Sequence, residues 1–125
     1  MKLKKLTKAE EELMSLVWQM EKVTVGQLRS AIERKSKGKK PAHSTISTLM
    51  KHLVEKSYVH YEVYGRTWVY SPAIDRDVYR KNKLGAFVNR FFGGSAQSMI
   101  SFLVAENDLS LSDLAELTEQ LKEEE

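Results

Sequence analysis

The 125-residue chain has no cysteine and only two prolines. Without cysteine it can form neither disulfide bonds nor thiolate metal sites. No apolar run approaches the about 20 residues that a membrane-spanning helix needs, so membrane insertion is not expected. The first segment, MKLKKLTKAEEE, lacks the apolar core of a secretion signal. We therefore expect the protein to act in the cytoplasm.

Catalytic motifs are missing as well. There is no glycine-rich phosphate loop, no cysteine nucleophile and no recognisable triad pattern. His43, His52 and His60 show neither HExxH spacing nor neighbouring cysteine ligands. Carboxylates cluster at predicted helix starts and in the acidic tail, where capping and solubility explain them. We expect no enzyme, no metal site and no cofactor.

Charge is distributed unevenly along the chain. Residues 1–72 hold 14 Lys and Arg against 7 Asp and Glu, whereas residues 73–125 hold 6 against 10. A basic first part suits a polyanionic partner such as DNA, and the acidic second part would be repelled by it. This asymmetry predicts a domain at 1–72 that faces DNA and a second domain at 73–125 that points away from it.

Capping signals and apolar spacing predict three short helices in the first part. Thr7 with Glu10, and Thr24 with Gln27, form capping boxes that open the first two. The loop RKSKGKKPA, with its glycine and proline, cannot continue the second helix. Residues 43–56 then show the i, i+3, i+4 spacing of a helix packed on a core, carried by Ile46, Leu49, Met50, Leu53 and Val54.

A change of period follows in YVHYEVYGRTWVYS, where β-branched and aromatic residues alternate with polar ones around a turn at Gly65. This pattern predicts a two-stranded β-hairpin. The fold class is therefore mainly α with a small β-hairpin, the plan of a winged helix-turn-helix domain. We interpret Trp18, Trp68 and Tyr70 as core residues, because a single hairpin offers no broad aromatic sheet for single-stranded nucleic acid.

The side of the predicted helix 43–56 that faces away from the core carries short polar side chains and cationic ones. Short hydroxyls let a helix approach closely, and cations suit phosphates and guanine edges in the DNA major groove. An ordinary solvated helix face is the alternative. The candidate DNA contacts on this helix are Ser44, Thr45, Ser47, Thr48, Lys51 and His52.

Two neighbouring segments supply further cations. Lys39 and Lys40 precede the helix and could hold phosphates beside the groove, although a solvated charge run is an equal alternative. Arg66 lies at the predicted wing tip, where a cation can reach the backbone or the minor groove. We include all three among the candidate DNA contacts.

The second part carries more large apolar side chains than about 50 residues bury alone. Packing on the first part is one solution. A second copy is favoured, because C₂ dimers are the commonest assembly and two helices about 34–36 Å apart read a palindrome. A glycine pair, Gly93 and Gly94, ends the first of its helices. The candidate dimer interface comprises Leu84, Phe87, Val88, Phe91, Phe92, Met99, Leu103, Leu114, Leu117 and Leu121.

Together these segments resemble the penicillinase and methicillinase repressors, the BlaI/MecI type, over nearly the whole chain. LTKAEEELMSLVW is similar to the family's first helix, which ends in a tryptophan, here Trp18. STISTLMKHLVEKSYV resembles the family's recognition helix and its run into the wing. WVYSP resembles the second wing strand, and NKLGAFVNRFFGGS resembles the dimer helix with its paired glycines. The resemblance implies a homodimeric repressor of palindromic operators, which in the prototypes control β-lactam resistance genes. The alternative function is a winged-helix adaptor for an acidic protein partner.

The resemblance also implies a position for induction. In the prototypes a membrane sensor–protease pathway cuts the dimer module between an Asn and a Phe, several residues after the paired glycines. The matching pair here is Phe102 and Leu103, or Ser101 and Phe102 as the nearby alternative, and neither contains the asparagine. A related branch senses copper through a C-terminal cysteine cluster, which a chain without cysteine cannot form.

Overall fold

In the computed structural model, residues 3–107 are described, together with residues 112, 115, 116 and 119. No helix within them is both long and apolar enough to cross a membrane. Leu114, Leu117 and Leu121, which we predict on the last helix and in the dimer interface, lie outside the described residues. The elements, in order, are α1 (Lys8–Met20), α2 (Val25–Lys35), α3 (His43–Glu55), β1 (Val59–Tyr64), β2 (Thr67–Pro72), α4 (Arg76–Phe92) and α5 (Ala96–Asn107).

Capping boxes start α1 and α2, as predicted. The Glu10 backbone N–H donates to Thr7 Oγ1 (3.2 Å), and the Thr7 N–H donates to Glu10 Oε1 (2.7 Å). In the second box the Gln27 N–H donates to Thr24 Oγ1 (3.1 Å), and the Thr24 N–H donates to Gln27 Oε1 (2.9 Å). Each box satisfies N–H groups that the first helical turn leaves unpaired.

The start of α3 is fixed differently, because Ala42 offers no capping side chain. Arg29 of α2 donates from Nε to the Pro41 carbonyl oxygen at 2.9 Å. This bond ties the end of the α2–α3 loop to α2, and thereby sets where α3 begins.

The predicted hairpin forms, with β1 and β2 antiparallel from Val59 opposite Pro72 to Tyr64 opposite Thr67. Gly65 opens the two-residue loop with φ of 62°, a conformation that glycine adopts at little cost. The α1–α2 connection adds a third element that the sequence pattern did not predict. Val23 donates to the Tyr70 carbonyl (2.9 Å) and accepts from the Tyr70 N–H (2.7 Å), which joins the hairpin to the helices.

The core of the first part lies between α1, α2, α3 and the base of the hairpin. The predicted apolar side of α3 is there: Ile46, Met50 and Leu53 are buried, and Leu49 and Val54 are half-buried against them. The core also contains Leu6, Leu13, Met14, Leu16, Val17, Val23, Val25, Leu28, Ala31, Tyr58, Val59 and Tyr70.

The chain divides into two compact units, Met1–Arg80 and Lys81–Glu125. The division falls later than the domain boundary predicted after Pro72, because Ile74 and Tyr79 pack on the core of the first unit. Trp18 Nε1 donates to the Ile74 carbonyl at 2.8 Å, and the Tyr79 hydroxyl donates to Glu11. In the second unit, Val88 of α4 and Met99 of α5 are buried.

The interpretation of Trp68 as a core residue is wrong. Its side chain is 47% exposed and stacks on Tyr61, with ring centroids 4.5 Å apart and an interplanar angle of 12°. The strand register explains the difference: Trp68 pairs with Val63 near the hairpin tip, while Tyr70 pairs nearer the base and is buried. Trp18 is half-buried against the core.

We expect Leu28→Ala to lower the free energy of unfolding by about 2–5 kcal/mol, because Leu28 is fully buried and truncation leaves a cavity. Urea unfolding followed by circular dichroism measures the change. Val78→Ala is the matched control at an exposed aliphatic position of α4, with an expected change within about 0.5 kcal/mol. Equal losses in the two variants would contradict the assigned core.

Candidate nucleic-acid interface

A cleft of about 840 Å³ lies between α3 and the wing, which we define as residues 59–72. Ser47, Thr48 and Lys51 line it from α3, and Arg66 lines it from the wing loop. We call it the α3–wing cleft. Its remaining lining residues come from the first turn of α2, both ends of α3 and the wing: Thr24, Val25, Gly26, His43, Val54, Glu55, Tyr61, Thr67, Trp68 and Tyr70.

The cleft thus brings together four of the candidate DNA contacts: Ser47, Thr48, Lys51 and Arg66. Thr48, Lys51 and Arg66 are exposed, and Ser47 is half-buried. The arrangement follows from helical geometry, since burial of the Ile46 side of α3 turns the hydroxyl and amino groups outward. Two cations and two hydroxyls on one concave surface can bind an anionic, hydrogen-bonding ligand.

The other predicted contacts lie outside this cleft. Ser44 and Thr45 are exposed in the first turn of α3. His52 is also exposed, but its Nδ1 is 3.9 Å from Glu10 Oε2, so this side chain lies beside α1. Among the described residues, no three His, Asp or Glu side chains form a metal-binding group.

The lysine-rich loop between α2 and α3 has a defined backbone path. The Gly38 N–H donates to the Glu33 carbonyl at 2.9 Å, and Ser36 Oγ is 2.7 Å from the Lys39 carbonyl oxygen. These bonds shape the reversal that follows α2. The side chains of Lys39 and Lys40 are exposed and available to phosphates.

A buried carboxylate fixes the C-terminal end of α3 to α1. Glu10 is 2% exposed, and its Oε1 accepts a hydrogen bond from Lys56 Nζ at 2.7 Å. Lys56 also donates to the Lys5 carbonyl at 2.9 Å. Burial raises the pKa of Glu10, but the bonds from Lys56 and Thr7 outweigh it and hold the pKa below its ordinary value. This ion pair is a positioning contact for α3 that the sequence did not predict.

The second unit presents apolar side chains of two kinds. Leu84, Phe87 and Phe91 of the predicted dimer interface are exposed, and Phe91 is exposed by 61%. Phe92 and Leu103 are half-buried. Val88 and Met99, which we also predicted in the dimer interface, are buried within one chain. They therefore belong to the interior of the second unit and not to its exposed surface.

The predicted cleavage position, residues 101–103, lies inside α5. Ser101 and Phe102 are exposed and Leu103 is half-buried. Proteases act on locally opened chain, so cutting here requires α5 to unwind.

A family model described as penicillinase repressor matches residues 6–123. The penicillinase repressor of Bacillus licheniformis is 30% identical over 122 residues, covering 98% of this chain and 93% of that protein. The penicillinase repressor of Staphylococcus aureus is 23% identical over 118 residues, covering 94% and 91%. The chain belongs to the penicillinase repressor family, and is therefore a transcriptional repressor rather than an enzyme.

A solved structure supports the same assignment. The solution structure of the DNA binding domain of the repressor BlaI matches with a TM-score of 0.51 and 25% sequence identity. The match covers 60% of this chain and 88% of that one. It confirms the predicted winged-helix fold.

We expect Lys56→Met to lower the free energy of unfolding by about 1–3 kcal/mol at neutral pH, because the buried Glu10 carboxylate loses its cationic partner. The wild-type contribution is present above the ordinary pKa of 4.5 and is lost as pH falls through the lower folded value. The difference between variant and wild type should therefore shrink in acid.

Urea unfolding between pH 3 and 7 measures this difference. Lys51→Met, which removes an exposed charge from the same helix, is the matched control and should change stability little at any pH. A Lys56→Met loss that stays constant across the acid range would show that the Glu10 carboxylate is not its cause.

Proposed function

We propose that the chain binds double-stranded operator DNA as a homodimer, with α3 in the major groove and the wing beside it. The α3–wing cleft carries this proposal, because it places Lys51 and Arg66 with the hydroxyls of Ser47 and Thr48 on one accessible surface. Cations bind phosphates or guanine edges, and short hydroxyl side chains allow close approach to the bases.

The flanking residues extend the same surface. Ser44 and Thr45, in the first turn of α3, contact base edges or phosphates in this arrangement, since the N-terminal residues of a recognition helix reach deepest. Lys39 and Lys40 contact phosphates from the preceding loop. His52 lies at the edge of this surface, between α3 and α1 and next to Glu10.

The exposed apolar side chains of α4 and α5 support the homodimer. A cluster of exposed aromatics marks an interaction surface, and Phe87 and Phe91 lie with ring centroids 4.9 Å apart. A second copy of the chain is the simplest partner for such a surface, because C₂ symmetry makes one patch complementary to itself. The same symmetry pairs two α3 helices and predicts a palindromic operator.

Release of the repressor is a separate step of the proposal. A membrane sensor–protease pathway would act at residues 101–103, after local unwinding of α5. Because neither candidate peptide bond follows an asparagine, a protease acting here has a different sequence preference from that of the family's prototypes.

We expect Lys51→Ala to weaken binding to a duplex from the chain's own promoter by about 1–3 kcal/mol, since one direct cationic contact is lost. Fluorescence anisotropy over a salt series measures the affinity. For wild type, log K should fall with log salt by about 0.9 per phosphate neutralised. Lys81→Ala, the same charge change on α4, is the control and should bind as wild type.

Two results would count against DNA as the partner. One is promoter affinity no higher than that for random duplex. The other is tight, salt-sensitive binding to an acidic protein with no affinity for DNA, the behaviour of an adaptor.

We expect Phe91→Asp to yield monomers, because it places a charge in the proposed apolar interface. Sedimentation equilibrium at micromolar concentration measures the mass. Glu106→Asp, a charge-conserving change at an exposed position of α5, is the control. A Phe91→Asp protein that remains dimeric would place the dimer contacts elsewhere.

A further inference from the structure

The geometry points to the stacked pair Tyr61 and Trp68 as a DNA-contact site. We propose that it forms an apolar wall of the α3–wing cleft, against which one sugar–phosphate strand packs its deoxyribose rings. The inference rests on the proposed DNA binding and adds a contact by two residues that are not among the candidate DNA contacts.

The strand register aims both rings at the cleft. Tyr61 is opposite Tyr70, and Val63 is opposite Trp68, so these four side chains share one face of the hairpin. Tyr70 is buried in the core, which shows that this face is turned toward the helices. Both Tyr61 and Trp68 accordingly line the α3–wing cleft.

The helical core does not cover these rings. Tyr61 is 43% exposed and Trp68 47%, although their faces are stacked on each other. A stacked aromatic pair on a short hairpin offers a rigid apolar surface at little cost in conformational entropy. Its outer surface is available to a ligand in the cleft.

The chemistry around the pair identifies the occupant. Lys51 and Arg66 supply positive charge to the same cleft, and Glu55 is the acidic residue among those that line it. A ligand matched to this mixture is anionic and carries apolar rings. A DNA strand meets both requirements, with phosphates for the cations and deoxyribose for the aromatic wall.

The position of the cleft selects the strand backbone rather than the bases. One DNA strand separates the major groove from the adjacent minor groove. With α3 in the major groove and the wing at the minor groove, the backbone of this DNA strand must pass between α3 and the wing. The bases of an intact duplex are stacked inside, whereas the sugars are exposed. The aromatic pair therefore meets sugar rings, and adds affinity with little preference for sequence.

The chain's two tryptophans allow a direct test. In Trp18→Phe, Trp68 is the remaining fluorophore and lies in the cleft. In Trp68→Phe, the remaining Trp18 is half-buried and bonded to the Ile74 carbonyl. On titration with a duplex from the chain's own promoter, we expect Trp68 emission to change with the same midpoint as anisotropy. Trp18 emission should stay constant.

Affinity provides the second measurement. We expect Trp68→Ala to bind the duplex about tenfold more weakly, and Trp68→Phe to retain most of the affinity, since an apolar ring remains. Val69→Ala is the matched control: Val69 lies on the same strand, pairs with Glu62 on the other face of the hairpin and does not line the cleft. It should bind as wild type. Urea unfolding of each variant separates a lost contact from a weakened hairpin.

The outcomes distinguish this inference from the function on which it rests. If wild type and Trp18→Phe bind the promoter duplex while Trp68 emission is unchanged, the aromatic contact is wrong and DNA binding stands. A Trp68→Ala affinity equal to the affinities of wild type and Val69→Ala would also overturn the aromatic contact alone. If wild type shows no preference for the duplex, the proposed function fails and the inference fails with it. Should Trp68→Ala not fold, the titration of Trp18→Phe still decides.

Discussion

Burial of one side of α3 is the constraint on which the candidate interface depends. Ile46, Met50 and Leu53 are held in the core by α1 and α2. Because a helix side chain repeats its direction every 3.6 residues, fixing these three positions requires Thr48 and Lys51 to face outward. The Glu10–Lys56 ion pair holds the C-terminal end of the same helix against α1. The core contacts and the ion pair together fix how α3 is rotated about its axis and where it lies on the domain.

Local signals predict those parts of the fold that depend on neighbouring residues. The capping boxes, the α3 stripe and the hairpin all lie within windows of a few residues. The Val23–Tyr70 bridge and the Glu10–Lys56 pair join residues 46 or more positions apart. No periodicity predicts such pairings. The exposure of Trp68 is unpredictable for the same reason, since alternation along a strand does not tell how far the helices reach over it.

The second unit shows where an apolar pattern becomes ambiguous. Leu84, Phe87, Val88 and Phe91 follow one helical spacing, yet Val88 is buried within its own chain and Phe91 is open. An internal core and a dimer surface have the same sequence period. Only their burial in the folded chain separates the two groups. In the proposed complex, a second copy covers the exposed side chains of α4, and DNA covers the Tyr61–Trp68 pair.

In the proposed complex, two copies of this chain place two α3 helices and two wings on one operator. Hydroxyl-radical footprinting of the protein on its own promoter tests this arrangement directly, because the cleavage pattern reports which deoxyribose sugars the protein covers. We expect two protected segments of equivalent sequence, related by a dyad and centred about one helical turn, or a multiple of it, apart. A single protected segment without a dyad, or uniform protection along the fragment, would contradict the proposed complex.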